Sequence, residues 1–216
     1  MSSVAILLDW INNRQWAKLE KLALNDRELY VLISEHIQKC SEFNGMTLLH
    51  AAIKNNAPLR VIRSMAFAHS DALKVQDCVG RTPLHVAAGT GADAFITRLL
   101  VKAYPKACDL QDDDGRTPLH LACDAECVIF EGSQTPRGPP TIDVVQALLS
   151  GSLAPVLVED EDDTSPIEYA IVSGADMDVV KILQKASMTI RRQIAKINKQ
   201  VAADDFSNAD AKPIQK

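Results

Sequence analysis

The sequence predicts an all-α solenoid, in which a helix-turn-helix unit of about 35 residues is repeated about four times. Three observations lead to this fold class. A motif containing Thr-Pro-Leu-His recurs at a fixed spacing, and an amphipathic helical pattern follows each copy. Aromatic residues make up only 5% of the chain, so the core must consist of Leu, Ile, Val and Ala, which favours closely packed helices.

The repeated motif is present in three clear copies. Its histidine falls at His50, His85 and His120, so both spacings are 35 residues. A weaker fourth copy begins at Ser165, 48 residues after Thr117, which indicates an insertion of about 13 residues between the two. This recurrence is typical of a stack of similar units rather than of one irregular domain.

The motif also predicts where the first helix of each unit begins and ends. Thr82 and Thr117 are suited to accept a backbone N–H bond at the helix N-terminus. Pro83 and Pro118 follow in the first helical turn, where a missing N–H costs nothing. Gly91 lies beyond the helix, where the chain must enter a left-handed conformation in order to turn.

A second helix is predicted after each turn, because apolar residues recur three or four positions apart and so share one helix face. These residues are Val61, Ile62 and Met65 in the first unit, where the pattern is weakest, Ile96, Leu99 and Leu100 in the second, Val144, Val145, Leu148 and Leu149 in the third, and Val179, Val180, Ile182 and Leu183 in the fourth. Each unit is thus a helix, a turn, a second helix and an extended link.

These motifs resemble the ankyrin repeat, whose hallmark is a Thr-Pro-Leu-His-x-Ala stretch in a unit of about 33 residues. Two departures are visible, since Leu48 stands where proline is expected and Glu168 stands where histidine is expected. The resemblance implies that the motif histidine is structural and hydrogen-bonds its own turn to the neighbouring unit. The residues assigned to this structural motif are Thr82, Pro83, His85, Gly91, Thr117, Pro118 and His120.

The chain is predicted to contain a repeat region flanked by terminal elements. Residues 1–41 are expected to form an N-terminal helical cap, with a strand around Tyr30 as the alternative to its third helix, and residues 42–187 are expected to form the repeats. The predicted insertion in the third repeat covers about residues 127–141, and a loop of this kind is either functional or merely tolerated. We expect it to project on the side away from the link tips.

A final helix is predicted over residues 188–203, followed by a disordered tail over residues 204–216. The segment 179–203 carries six positive charges and no acid. Such a helix can bind a membrane surface or a helix-gripping partner. We favour a closing cap, with the isoleucines packed on the last repeat, because an unclosed stack exposes an apolar face.

Composition argues against several functional classes. The net charge of −5 disfavours direct nucleic-acid binding, which requires a basic excess. No stretch approaches the roughly 18 apolar residues of a membrane span, and no basic segment precedes Val4 to Leu8, so a secretory signal is not expected. Five irregularly spaced cysteines indicate free thiols in the cytoplasm or nucleus. We expect a monomer without a cofactor.

The repeated histidines invite a catalytic interpretation, which the pattern disfavours. An active site needs its histidine once, together with a nucleophile and an orienting group, whereas His50, His85 and His120 recur at equivalent positions. We therefore predict no catalytic residues and no enzyme. A metal- or thiol-dependent function that uses His120, Cys123 and Cys127 remains as a second alternative, because their spacing fits one helix face.

Acidic residues are concentrated on the links between units. Asp77, Asp112 to Asp114 and Glu159 to Asp163 occupy equivalent positions, so stacking should align them into one negative ridge. Such a ridge would attract a basic partner and raise its encounter rate. Alternatively, Asp is simply a favoured turn residue, which explains Asp77 and Asp112 but not five consecutive acids.

We predict that the chain is a noncatalytic adaptor or scaffold that binds a protein partner, possibly a basic one, through its concave face and acidic link tips. A regulator that sequesters a basic nucleic-acid-binding protein is the first alternative. Phe43 is compatible with either partner binding or packing on the N-terminal cap. The resemblance implies these partner-binding residues: Phe43, Asn44, Met46, Lys54, Asn55, Cys78, Val79, Arg81, Gly89, Thr90, Asp113, Asp114, Arg116, Asp124, Ala125, Glu161, Asp162, Thr164, Val172 and Ser173.

Overall fold

The structure, a computed structural model, describes residues 3–39, 43–130 and 138–209. Within these ranges the chain forms eleven α-helices and no β-strand. The helices are α1 (Ser3–Asn12), α2 (Trp16–Asn25), α3 (Arg27–Lys39), α4 (Leu48–Lys54), α5 (Leu59–Ala68), α6 (Pro83–Gly89), α7 (Ala94–Ala103), α8 (Pro118–Cys123), α9 (Ile142–Leu149), α10 (Pro166–Val172) and α11 (Met177–Ala209). A short 3-10 helix follows the second helix of each of the first three pairs, at Ser70–Leu73, Pro105–Asp109 and Ala154–Leu157.

Helices α4 to α11 form four consecutive pairs that stack side by side. The first helices, α4, α6, α8 and α10, pack in one row, and the second helices, α5, α7, α9 and α11, pack in another. Each helix is therefore covered by its own partner and by the equivalent helix of the next pair. The predicted all-α solenoid of four two-helix repeats is confirmed.

Small and aliphatic side chains fill the space between the two rows. Leu48 and Leu49 of α4 are fully buried, as are Ala87 and Ala88 of α6. Alanine at such positions lets neighbouring helix backbones approach closely, while leucine supplies most of the buried apolar area. The low aromatic content is thus consistent with the observed core.

The link turns align along one edge of the stack. In each turn the Asp N–H group bonds a carbonyl four residues later, as from Asp112 to Arg116 at 2.9 Å. The tips of successive turns are joined by backbone hydrogen bonds from Cys78 to Asn44, from Asp113 to Val79 and from Glu161 to Asp114. These bonds fix the tips relative to one another, so the edge is a continuous surface.

The N-terminal helices extend the stack by one layer. Helix α2 packs on α5 and so continues the row of second helices, while α3 packs on α1 and α2. Tyr30 is buried and stacks on His69 with ring centroids 3.6 Å apart. The region around Tyr30 is helical, so the alternative of a strand there is wrong. Residues 1–2 and 40–41 of the predicted cap lie outside the described residues.

The C-terminal prediction requires a correction. Residues 188–203 are not a separate capping helix, because α11 is one helix of 33 residues, about 50 Å long at 1.5 Å per residue. Its first part packs on α9 and α10, but Ile194, Ile197 and Val201 are 44%, 61% and 54% exposed. This part of α11 extends beyond the other helices of the stack, and no described residue buries these three side chains. It also continues through residues 204–209, which were expected to be disordered; residues 210–216 lie outside the described residues.

The insertion between α8 and α9 begins with a segment that packs on the repeats. Residues 124–130, here called the strap, leave the end of α8 and cross the exposed side of the first-helix row. Ile129 is buried against Gly89, the last residue of α6. The expected projection of the insertion away from the link tips stays a prediction. Residues 131–137 of the predicted insertion lie outside the described residues.

Candidate interaction surface

The motif histidine bonds two neighbouring repeats to each other. In α6, Thr82 donates its backbone N–H to Nδ1 of His85 at 3.1 Å, and Nε2 of that ring lies 3.2 Å from the carbonyl oxygen of Arg116. The equivalent Nε2 contacts run from His50 to Arg81 at 3.0 Å and from His120 to Val158 at 3.1 Å. A neutral ring that carries its proton on Nε2 satisfies both partners.

Burial keeps these three rings neutral. It lowers the pKa of His50, His85 and His120 to about 4, although the carbonyl acceptors partly oppose this effect. Protonation of the ring would place a hydrogen on Nδ1, which would then point at the backbone N–H of the threonine instead of accepting its hydrogen bond. Both ring nitrogens are thus committed to holding the stack together, which leaves no lone pair for acid–base chemistry or metal binding.

The predicted metal alternative finds no support in the geometry. His120 uses Nδ1 toward Thr117 and Nε2 toward Val158, and Cys123 is fully buried in the core. Within residues 3–39, 43–130 and 138–209, no group of three potential His, Cys, Asp or Glu ligands converges on one point. His120, Cys123 and Cys127 therefore do not form a ligand set here.

One aspartate of each link stabilises its own turn through side-chain hydrogen bonds. Its Oδ1 accepts two backbone N–H bonds, at Asp77 from Val79 and Arg81, at Asp112 from Asp114 and Arg116, and at Asp160 from Asp162 and Thr164. Asp112 and Asp160 are buried, and burial raises the pKa of Asp112. The predicted ridge therefore does not include these carboxylates.

Each buried turn carboxylate also holds an arginine of the preceding link. Nε of Arg81 lies 3.7 Å from Oδ2 of Asp112, and Nε of Arg116 lies 3.5 Å from Oδ2 of Asp160. The hydroxyl of Tyr169 donates to the same Oδ2 of Asp160 at 2.7 Å. The two guanidinium groups therefore lie beside these carboxylates in partly buried positions along the first-helix row.

The remaining acids of the third and fourth tips are exposed. Asp113 and Asp114 lie on the third tip, Glu161, Asp162 and Asp163 lie on the fourth, and Glu159, which is also exposed, precedes the fourth turn. We call the five residues on the third and fourth tips the acidic tips. The first two tips present Asn44, Cys78 and Val79 instead, so the negative surface covers two of the three links that the predicted ridge comprises.

Three of the predicted partner-binding positions are buried. Phe43 and Met46 are only 5% and 3% exposed and belong to the core, and Gly89 is covered by Ile129. For Phe43 the alternative of packing in the core holds, and the expected exposure of Met46 and Gly89 is wrong, because Met46 belongs to the core and Ile129 covers Gly89. The structure places the others on the surface or partly on it, namely Asn44, Lys54, Asn55, Cys78, Val79, Arg81, Thr90, Asp113, Asp114, Arg116, Asp124, Ala125, Glu161, Asp162, Thr164, Val172 and Ser173.

The strap contacts several of the same positions. Nη1 of Arg81 donates to the carbonyl oxygen of Ile129 at 2.7 Å, and Nζ of Lys54 lies 4.0 Å from the ring centroid of Phe130. Sequence analysis missed Ile129 and Phe130 as surface-covering residues. The available signal was an apolar pair inside a segment that is otherwise rich in Gly and Pro.

Stacked helix pairs joined by aligned turns define the helical-repeat class, whose extended surfaces serve in binding. A family profile described as ankyrin repeats in three copies matches residues 49–130, and a profile for the single ankyrin repeat matches residues 114–161. Together they span a little more than half of the chain, which belongs to the ankyrin-repeat family. The comparison with curated protein sequences found no significant match.

Family membership defines the general function. Ankyrin repeats are general modules for protein–protein interaction, and the proteins that contain them are typically noncatalytic. Among the described residues, no helix is both long and apolar enough to cross a membrane. The surfaces of interest are therefore the acidic tips and the exposed side of the first-helix row.

Proposed function

We propose that this chain is a noncatalytic adaptor that binds a protein partner through its acidic tips and the adjoining first-helix surface. The observation that carries the proposal is that the acids of the third and fourth tips are not needed by the turns. Asp112 and Asp160 already supply the turn carboxylates, so Asp113, Asp114, Glu161 and Asp162 leave their negative charge to solvent.

The position of these acids favours recognition of a basic surface. Backbone bonding between Glu161 and Asp114 holds the two tips side by side, so their charges add at short range. Clustered charge of one sign steers an oppositely charged partner and raises the association rate. Rigid tips also bind without a large loss of conformational entropy, which favours affinity.

A second candidate is a regulator that sequesters a basic nucleic-acid-binding protein. The same acidic tips support it, because they present negative charge to a surface that otherwise binds phosphates. The two candidates differ in the partner's chemistry, so the captured proteins distinguish them.

The test compares capture by two variants of equal charge. The tip variant carries Asp113→Asn, Asp114→Asn, Glu161→Gln and Asp162→Asn. The control variant carries Glu28→Gln, Glu35→Gln, Asp109→Asn and Asp143→Asn, which are exposed acids away from the tips. Immobilised proteins are incubated with nuclease-treated lysate, and the retained proteins are quantified by mass spectrometry.

We expect a reproducible set of proteins to be retained by the unmodified chain and by the control, and to fall by about tenfold or more with the tip variant. Enrichment of basic nucleic-acid-binding proteins in that set supports the second candidate. Equal retention by both variants, or no specific retention by the unmodified chain, contradicts the proposal.

A further inference from the structure

The strap takes a course that the other repeats do not share. In the first two repeats the chain turns at once into the second helix, whereas the strap runs along the first-helix row. At its start, the N–H group of Ala125 donates to Oγ of Ser173 in the fourth repeat at 2.8 Å. At its end, Phe130 reaches Lys54 in the first repeat. The strap therefore lies in the direction in which a stack of repeats presents a continuous binding surface.

Ile129 occupies a depression that exists because the second repeat has a glycine. A Cβ added to Gly89 would lie 1.7 Å from Cδ1 of Ile129, so the isoleucine side chain fills the place of the missing one. The equivalent residues of the other repeats are Lys54, Asp124 and Val172, which all carry side chains. Ile129 is only 9% exposed, whereas the neighbouring Val128 is 65% exposed. The depression thus selects one aliphatic side chain.

Arg81 supplies a contact that does not depend on side-chain identity. Its Nη1 donates to the carbonyl oxygen of Ile129 at 2.7 Å, while its Nε lies near the buried carboxylate of Asp112. The carboxylate orients the guanidinium before any segment arrives. Any extended peptide presents such a carbonyl, so this contact recognises backbone rather than sequence.

Lys54 supplies a site for an aromatic ring. Its Nζ lies 4.0 Å from the ring centroid of Phe130, within the range in which an ammonium is attracted to the ring face. The ring follows the buried aliphatic residue directly in sequence. The three contacts together therefore match an extended segment in which an aliphatic residue precedes an aromatic one.

Because the strap is covalently attached to the repeats at both ends, weak contacts are enough to hold it on this surface, and a partner can still displace it. It is joined to α8 at one end and to the third repeat's second helix at the other, so its effective concentration at the surface is on the order of mM. Contacts that are weak for a free peptide suffice under this condition. A partner segment that makes the same contacts and also binds the acidic tips can replace the strap.

We propose that Gly89, Arg81 and Lys54 form a peptide site for an extended aliphatic–aromatic segment, and that Ile129 and Phe130 occupy this site until a partner displaces them. This inference rests on the proposed function, because it names the chemistry of the partner and the contact that regulates access. It makes the strap an autoinhibitory element of the first-helix surface.

The test uses a synthetic peptide with the sequence of residues 125–130, in which serine replaces the cysteine. It is titrated into the ¹⁵N-labelled unmodified chain, into Ile129→Ser/Phe130→Ser, and into the matched control Val128→Ser, up to roughly 5 mM, the range of a short tether's effective concentration. The amide signal of Gly89 and the Nε signal of Arg81 report occupancy. A second peptide with serine in place of both apolar residues tests specificity.

In the double variant we expect the Gly89 and Arg81 signals to shift away from their original positions and to return as the apolar peptide binds. The unmodified chain and Val128→Ser should bind this peptide at least about tenfold more weakly, because the tethered strap competes. The serine peptide should not bind. Equal binding to all three proteins, or no binding to the double variant, overturns the proposal.

A variant with one substitution keeps the test decisive if the double variant fails to fold. Phe130 is partly exposed, so Phe130→Ser retains the isoleucine and should fold; its peptide affinity should lie between those of the unmodified chain and the double variant. An affinity equal to that of the unmodified chain would contradict the role of the ring. The titration uses no partner protein, so its failure leaves the acidic-tip experiment standing, and failure of that experiment leaves the titration standing.

Discussion

At the scale of residues, the imidazole ring of the motif histidine makes two hydrogen bonds with different structural roles. Nδ1 of His85 accepts from Thr82 and completes the start of α6, while Nε2 bonds the next repeat. In the last repeat Glu168 replaces the histidine, and its carboxylate accepts from the N–H of Ser165 at 2.8 Å. The carboxylate completes the helix start, but it has no N–H group with which to bond a neighbouring repeat.

The buried histidines predict a pH dependence of stability. Their folded pKa of about 4 lies below the value of about 6.5 for an unfolded histidine. Their contribution is therefore complete above pH 6.5 and is lost as the pH falls through 4, because the unfolded chain binds protons first. For three protons, the free energy of unfolding should fall by up to about 4 kcal/mol per pH unit within this window.

Urea unfolding at several pH values between 6.5 and 4.5 measures this slope. His85→Gln should reduce this slope by about one third, because one of the three titrating rings is removed. His69, whose pKa burial also lowers, adds to the trend in both proteins and so cancels in the comparison. A free energy of unfolding that stays constant over the window would contradict the assignment of neutral buried rings.

At the scale of elements, α11 combines two environments in one helix. Val179 and Leu183 are fully buried against the stack, whereas residues 191–201 are exposed throughout. The first part is thus the second helix of the fourth repeat, and the later part projects beyond it. A helical period predicts a helix and its apolar stripe, but it does not predict whether another element covers that stripe.

Two substitutions on α11 test this division. Leu183→Ala should lower the free energy of unfolding by about 2–5 kcal/mol, because it removes a fully buried side chain from the core. Ile197→Ala should change it by less than about 0.5 kcal/mol, because Ile197 is 61% exposed. Denaturant titration measures both. A large loss with Ile197→Ala would indicate that this part of the helix caps the stack after all.

The repeat region could be predicted from sequence because its determinants are local. Thr82, Pro83 and His85 lie within one helical turn, so spacing alone identified the helix start and the repeat. The course of the strap could not be predicted in this way, because Ile129 depends on Gly89, which lies 40 residues earlier in the chain. Likewise, the repeat register marks Asp160 as the equivalent of Asp77 and Asp112, but a run of acids does not by itself show that its carboxylate is buried while those of its neighbours face solvent.

At the scale of the whole molecule, the four repeats present two surfaces that meet at the link edge. The acidic tips lie at the third and fourth repeats, and the strap covers the first-helix surface at the first and second. In the proposed function, charge attracts a partner to one half of the stack, after which a segment of the partner competes with the strap for the other half.

The most direct test of this account is the rate at which a captured partner associates with the chain at two salt concentrations. The unmodified chain should associate several-fold faster at low salt than at high salt, because the acidic tips steer the encounter. The tip variant should lose most of this dependence, while the control variant of equal charge keeps it. If the tip variant and the unmodified chain associate at the same rate at both salt concentrations, the acidic tips do not carry the interaction.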